Sequence, residues 1–199
     1  MASAAKILLV DDRSENLVAL EAILSSLGQE LVCARSGEAA LEAVVADEFA
    51  VILLDVLMPG MDGFETAEQI KQRGRYPDVP IIFLTAGAEP EFAFRGYAAG
   101  AVDYISKPFD PWVLRAKVSV YVDLYLKDHQ LKALSGLVAA VEKAAAALAG
   151  LASEERVDRN LAASLLSGLA QLDGTVAALR ATLDELPPGS RARSASQQR

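Results

Sequence analysis

Residues 51–65 read VILLDVLMPGMDGFE. Four apolar residues, Val51–Leu54, run straight into the carboxylate of Asp55 and then into a loop punctuated by Pro59, Gly60 and Gly63. A run this short, rich in Val, Ile and Leu and without polar alternation, predicts a strand buried on both faces. Short apolar runs occur four more times. Ile7–Val10 precedes Asp11 and Asp12, Ile81–Leu84 precedes Thr85, Val102–Ile105 precedes Lys107, and Leu31–Cys33 stands between two helical stretches. One of those stretches places Leu17, Leu20, Ile23, Leu24 and Leu27 on one helical face, with Gly28 as its stop signal. Strand and helix alternating in this way predict an α/β fold, a five-stranded parallel, doubly wound sheet with helices on both faces.

In such a sheet the C-terminal strand ends share one edge, where sites form. Asp11, Asp12, Asp55, Thr85 and Lys107 all fall there. Three carboxylates in one place repel, and burying them unpaired costs several kcal/mol. A divalent cation relieves that. Oxygen ligands without His or Cys point to Mg²⁺. Lys107 adds a point charge suited to a phosphoryl group, and a carboxylate beside Mg²⁺ and a lysine is a plausible phosphoryl acceptor.

The segments KILLVDD (6–12), VILLDVLMPGMDGFE (51–65), IIFLTA (81–86) and GAVDYISKPFD (100–110) together resemble the receiver domain of two-component response regulators, in order and in spacing. The resemblance covers residues 5–127. It implies a flavodoxin-like strand order, 2-1-3-4-5. It implies that Asp55 takes a phosphoryl group from the phosphohistidine of a sensor histidine kinase. Asp12 and Asp55 are then the Mg²⁺ side-chain ligands, the Leu57 carbonyl is a third ligand, and Asp11 acts through water. Thr85 and Lys107 bind phosphoryl oxygens, and a cis Lys107–Pro108 bond aims the lysine. The only catalysis implied is the domain's own phosphotransfer and autodephosphorylation. Tyr104, by position a core aromatic in a buried strand, becomes by resemblance a rotamer switch that follows Thr85. Cys33 reads as a small core residue.

Composition excludes other classes. The chain has 199 residues, one Cys and one His, which leaves no disulfide scaffold, no multi-His zinc site and no Ser-His-Asp triad in the globular part. No apolar stretch approaches the ~18 residues of a membrane span, so a cytoplasmic protein is expected. The net charge of −8 sits wholly in residues 1–127, with 11 basic and 19 acidic residues; residues 128–199 hold 8 of each. Neither part has the basic surplus of a DNA-binding surface.

Beyond Pro111 the rhythm changes. The last receiver helix has no Gly or Pro between Pro111 and Gly136, so it is expected to run on into a heptad series, Leu131, Leu134, Val138, Val141, Ala145 and Leu148. Val113, Val118, Val120, Val122 and Leu124 read as a hydrophobic root for it. A second series, Ala162 to Leu186, is out of phase with the first, with a break at Gly150–Arg159. The pair forms either a helical hairpin or one stuttered helix. Residues 128–186 are therefore expected to be a coiled-coil or helical effector region, and polar residues 187–199 a disordered tail. About 60 helical residues leave no room for a winged helix or a cyclase. The expected output is contact with a downstream protein and homodimerisation through the C-terminal helices. The alternative is a phosphorelay intermediate that passes phosphate from Asp55 to His129 or to a separate phosphotransfer protein. The His129–Lys132 fragment resembles the phosphorylated helix of histidine phosphotransfer domains, although Ala133 stands where that helix usually has Gly.

Overall fold

The computed structural model describes residues 4–73, 77–85 and 101–152, with single helical positions at 167, 168, 170 and 174. The expected strands form as β1 (Lys6–Val10), β2 (Glu30–Ala34), β3 (Val51–Asp55), β4 (Ile81–Thr85) and β5 (Asp103–Ser106). All four pairings are parallel and the order is β2-β1-β3-β4-β5. Helices α1 (Ser14–Leu24), α2 (Gly37–Ala46), α3 (Gly63–Arg73) and α4 (Pro111–Ala152) complete the described elements. Two compact units, Met1–Leu126 and Lys127–Arg199, divide the chain.

Period-2 alternation sends each strand's residues into two cores. Ile7, Leu9, Val51, Leu53, Ile82 and Leu84 pack with Leu17, Leu20 and Leu24 of α1 and with Leu114, Val118 and Val122 of α4. Leu8, Val10, Ile52, Leu54, Ile81 and Phe83 pack with Ala40 and Val44 of α2 and with Phe64, Ala67 and Ile70 of α3. β3 and β4 are buried throughout, as their apolar runs predict.

The two outer strands correct the expectation that all five are buried on both faces. β2 and β5 end the sheet, so each keeps an unpaired edge and a partly open face. Cys33 is consequently exposed rather than in the core; partial burial and a hydrogen bond to the Glu21 carboxylate push its thiol up to about 11. Tyr104, on β5, is 42% exposed and is not a core aromatic.

The helices start where local chemistry satisfies their first N–H groups. Ser36 Oγ accepts from Ala39 N at 3.2 Å ahead of α2. Asp62 and Glu65 cap α3 reciprocally: Glu65 N donates to Asp62 Oδ1 at 2.8 Å and Asp62 N to Glu65 Oε2 at 3.3 Å. Asp110 Oδ1 accepts from Trp112 N at 2.7 Å, with Pro111 in the first helical position of α4. After α1, a 3₁₀ turn (Ser25–Leu27) ends at Gly28, whose φ of 65° makes it the stop its sequence position predicts.

α4 confirms the unbroken run past Gly136, and its described end at Ala152 falls within the segment Gly150–Arg159 where the break is expected. The hydrophobic root divides. Val118 and Val122 are buried against the sheet, whereas Val113, Val120 and Leu124 stay exposed. In the second unit Leu134 and Val141 are exposed and Val138 is buried. The series from Ala162 to Leu186, the stretch 153–159 and the tail 187–199 lie outside the described residues. Among those described, no helix is long and apolar enough to cross a membrane.

Gly63 opens α3 directly behind the end of β3. Its N–H donates to Val56 O at 3.0 Å, and a β-carbon there would collide with the Asp55 carbonyl and stand 2.8 Å from Val56 Cα. Backbone cannot yield as a side-chain tip can. Gly63→Ala is therefore expected to lower stability by about 1–3 kcal/mol, read as an earlier midpoint in urea unfolding. An unchanged midpoint would show that the loop relaxes freely.

Candidate functional site

The parallel sheet delivers the predicted residues to one edge. Asp11 and Asp12 follow β1, Asp55 ends β3, Thr85 ends β4, and Lys107 follows β5. Asp11 is fully buried, Asp55 is 6% and Thr85 2% exposed, and Asp12 is half-buried. One carboxylate oxygen from each of Asp11, Asp12 and Asp55 lies within 4.8 Å of the others.

Lys107 ties the group together. Its Nζ stands 2.8 Å from Asp11 Oδ2 and 3.0 Å from Asp55 Oδ1. Its backbone N donates to Thr85 O at 2.6 Å, which extends the β4–β5 ladder one residue past the strand, and the Lys107–Pro108 peptide is cis. Burial nevertheless dominates at Asp55. It raises the carboxyl's pKa, with the Asp11 charge acting the same way, against the lowering pull of Lys107 and the Val56 N–H. Three buried or half-buried acids with one ammonium leave a surplus of negative charge. A small hard cation fits this donor set, since each acid offers an oxygen and neither His nor Cys takes part.

Of the other predicted residues, Leu57 lies in the β3–α3 loop with its side chain 59% exposed. Tyr104 pairs with Phe83 across β4–β5. His129 is half-buried in the second unit, whereas the acids, Thr85 and Lys107 all belong to the first. Sequence reasoning missed Asn16, whose side-chain Nδ2 donates to both Asp11 oxygens, at 2.8 and 2.9 Å. A polar residue in the first turn of α1, five positions past Asp11, was the available signal. A cavity of about 250 Å³ opens beside it, lined by Asp11, Asn16, Lys107, Pro108 and Phe109 among others.

The chain is similar to known proteins over its first part. The chain is 39% identical over 119 residues to "Transcriptional regulatory protein YvrH" of Bacillus subtilis, covering 59% of this chain and 49% of that protein. It is 36% identical over 116 residues to "Probable cyclic di-GMP phosphodiesterase" of Vibrio cholerae, covering 58% and 26%. It thus spans about half or less of the length of these curated relatives. Among solved structures, Vibrio cholerae chemotaxis protein CheY4 matches with TM-score 0.57 and 34% identity, over 60% of this chain and 99% of that one. A signal receiver domain of a histidine kinase from Syntrophus aciditrophicus matches at 0.56 and 31%, over 60% and 91%. The family described as "Response regulator receiver domain" matches residues 7–119, and with five parallel strands in the order 2-1-3-4-5 carrying the acids and lysine on one edge, the chain belongs to that family.

Proposed function

We propose that this chain is a phosphoacceptor response regulator of a two-component system, with residues 5–127 as the receiver, 128–186 as a helical output region and 187–199 as a tail. The observation that carries the reading is the single ammonium of Lys107 set between two buried carboxylates at the sheet edge. Asp55 attacks the phosphorus of a sensor kinase's phosphohistidine; an acyl phosphate bond forms, the phosphorus–nitrogen bond breaks, and the imidazole leaves with a proton. Asp12, Asp55 and the Leu57 carbonyl hold Mg²⁺, and Asp11 acts through water. The ion's chemistry is charge neutralisation on the transferring phosphoryl group. Lys107 and Thr85 take phosphoryl oxygens, Pro108 sets the lysine's approach, and Tyr104 moves with Thr85.

Output through protein contacts fits the charge distribution. Residues 128–199 carry 8 basic and 8 acidic groups, which offers no electrostatic footprint for DNA. The heptad residues there suit a helical partner, and a second copy of this chain is the first candidate.

Three outcomes are expected. Incubation with acetyl phosphate and Mg²⁺ adds one phosphoryl group by intact mass. Asp55→Asn or EDTA reduces labelling to background. Full labelling of the variant, or labelling indifferent to EDTA, sinks the assignment.

The second concerns charge and stability. Because burial raises the Asp55 pKa, the folded chain holds this proton to higher pH than the unfolded chain does. The cost of the buried carboxylate is absent in acid. It develops as pH rises from the unfolded value, near 3.9, through the raised folded value, and persists at neutrality. Metal-free Asp55→Asn is therefore expected to be more stable than wild type at pH 7, by about 1 kcal/mol. Urea titrations should show the gap closing as pH falls through that window. A variant less stable at pH 7 would mean that the attraction to Lys107 outweighs desolvation.

The third concerns assembly. Light scattering should show a homodimer for the full chain and a monomer for a chain ending at Lys127. A monomeric full chain at tens of micromolar removes dimerisation from the mechanism.

A further inference from the structure

Asp11 is held from three directions. Its Oδ1 accepts from Arg13 N at 3.0 Å and its Oδ2 from Lys107 Nζ at 2.8 Å. Asn16 Nδ2 reaches both oxygens, at 2.8 and 2.9 Å. The carboxylate is fully buried, so the loss of a donor is costly unless another holds it. One of these donors has a second obligation: the same Lys107 ammonium stands 3.0 Å from Asp55 Oδ1.

Asn16 differs from Lys107 in two ways. It is neutral, so it neither competes with a cation for the acidic cluster nor changes charge with pH. It is also fixed by the fold. It sits in the first turn of α1, its N–H donates to Arg13 O at 3.1 Å, and the next residue, Leu17, is buried in the core with Leu20. Asp or Glu at this place would add a fourth acid to the cluster, and an apolar residue would leave both Asp11 oxygens a donor short.

We propose that Asn16 is a positioning residue for the phosphoryl-transfer cycle: its amide keeps the Asp11 carboxylate in place when Lys107 turns from Asp11 to the phosphoryl group on Asp55. This rests on the phosphoacceptor reading above. A phosphoryl group brings about −1.5 to −2 charge and three acceptor oxygens to Asp55, and these draw the lysine off Asp11. Asp11 Oδ2 then has Asn16 as its remaining partner among the hydrogen bonds seen here. The amide acts through Asp11 and does not touch the phosphoryl group.

The test is calorimetric titration of the full chain, first with Mg²⁺ alone and then with beryllofluoride, a phosphoryl mimic, in saturating Mg²⁺. Asn16→Leu, close in volume but without a donor, is expected to weaken Mg²⁺ binding by a few-fold and beryllofluoride binding by roughly 10-fold or more. The larger loss belongs to the state in which Lys107 has moved. Asn16→Gln, which keeps the amide, recovers part of both. A purely structural role for Asn16 would lower the melting temperature without this split. Wild type that binds neither ligand overturns the phosphoacceptor reading itself. Wild type that binds both while Asn16→Leu matches it within about twofold, or loses both equally, overturns the handover from Lys107. Should Asn16→Leu fail to fold, hydrogen exchange of the Asn16 side-chain amide in labelled wild type decides. Protection maintained with beryllofluoride supports the proposal, and exchange at the rate of a surface amide overturns it.

Discussion

An ammonium placed between two buried carboxylates is the constraint around which the rest of this domain is arranged. Lys107 lies 2.8 Å from Asp11 and 3.0 Å from Asp55, yet it arrives from an edge strand while the acids arrive from the sheet's centre. Only a parallel sheet brings the ends of three separate strands to one side, because each crossover returns the chain to the opposite edge before the next strand begins. The sheet therefore does more than support the site. A one-residue slip of β5 against β4 would turn its side chains to the opposite faces and carry the lysine's approach away from the acids. The backbone bond from Lys107 N to Thr85 O holds that register at the point where it matters.

The same constraint explains why small residues crowd the β3–α3 corner. Gly63 allows α3 to begin against the Asp55 carbonyl, and Gly37, at the start of α2, lies where a β-carbon would collide with Thr66 Oγ1. Thr66 is itself fully buried and bonds back to Asp62 O at 2.7 Å, and Asp62 caps α3 with Glu65. Asp55 is thus backed by a chain of close backbone and side-chain contacts. Buried as it is, with burial raising its pKa, it sits in a position that a looser corner would let it leave for water. The apolar strands behind it, fully covered on both faces, supply the packing that offsets this electrostatic cost.

What was legible in the sequence, and what was not, divides along physical lines. Buried central strands announce themselves, because two covered faces demand apolar residues at every position, and Val51–Leu54 and Ile81–Leu84 were read correctly. Edge strands carry apolar residues for a different reason, strand propensity on a half-open face, so Cys33 and Tyr104 looked like core and are not. The charged site residues were legible because each lies within two residues of the end of an apolar run. Asn16 was not, since its bond to Asp11 spans a loop and the first turn of a helix, and no period marks that geometry. Glycine ends a helix when the backbone turns left-handed, as at Gly28, but glycine alone does not force that turn, and α4 runs straight through Gly136.

The part of α4 that packs on the sheet carries apolar residues on two faces, only one of which is covered. Leu114, Val118 and Val122 recur every four residues and are buried against β1, β3 and β4 residues. Val113, Val120 and Leu124 stand on the same helix with 47%, 61% and 36% exposure. A helix needs one apolar face to dock on a sheet, and the first set supplies it. The second set therefore adds nothing to that docking, and leaving it in water carries the hydration cost of three branched side chains. Exposed apolar side chains of this kind are ordinary on a folded surface, and the seating of α4 on the sheet rests on the buried set alone.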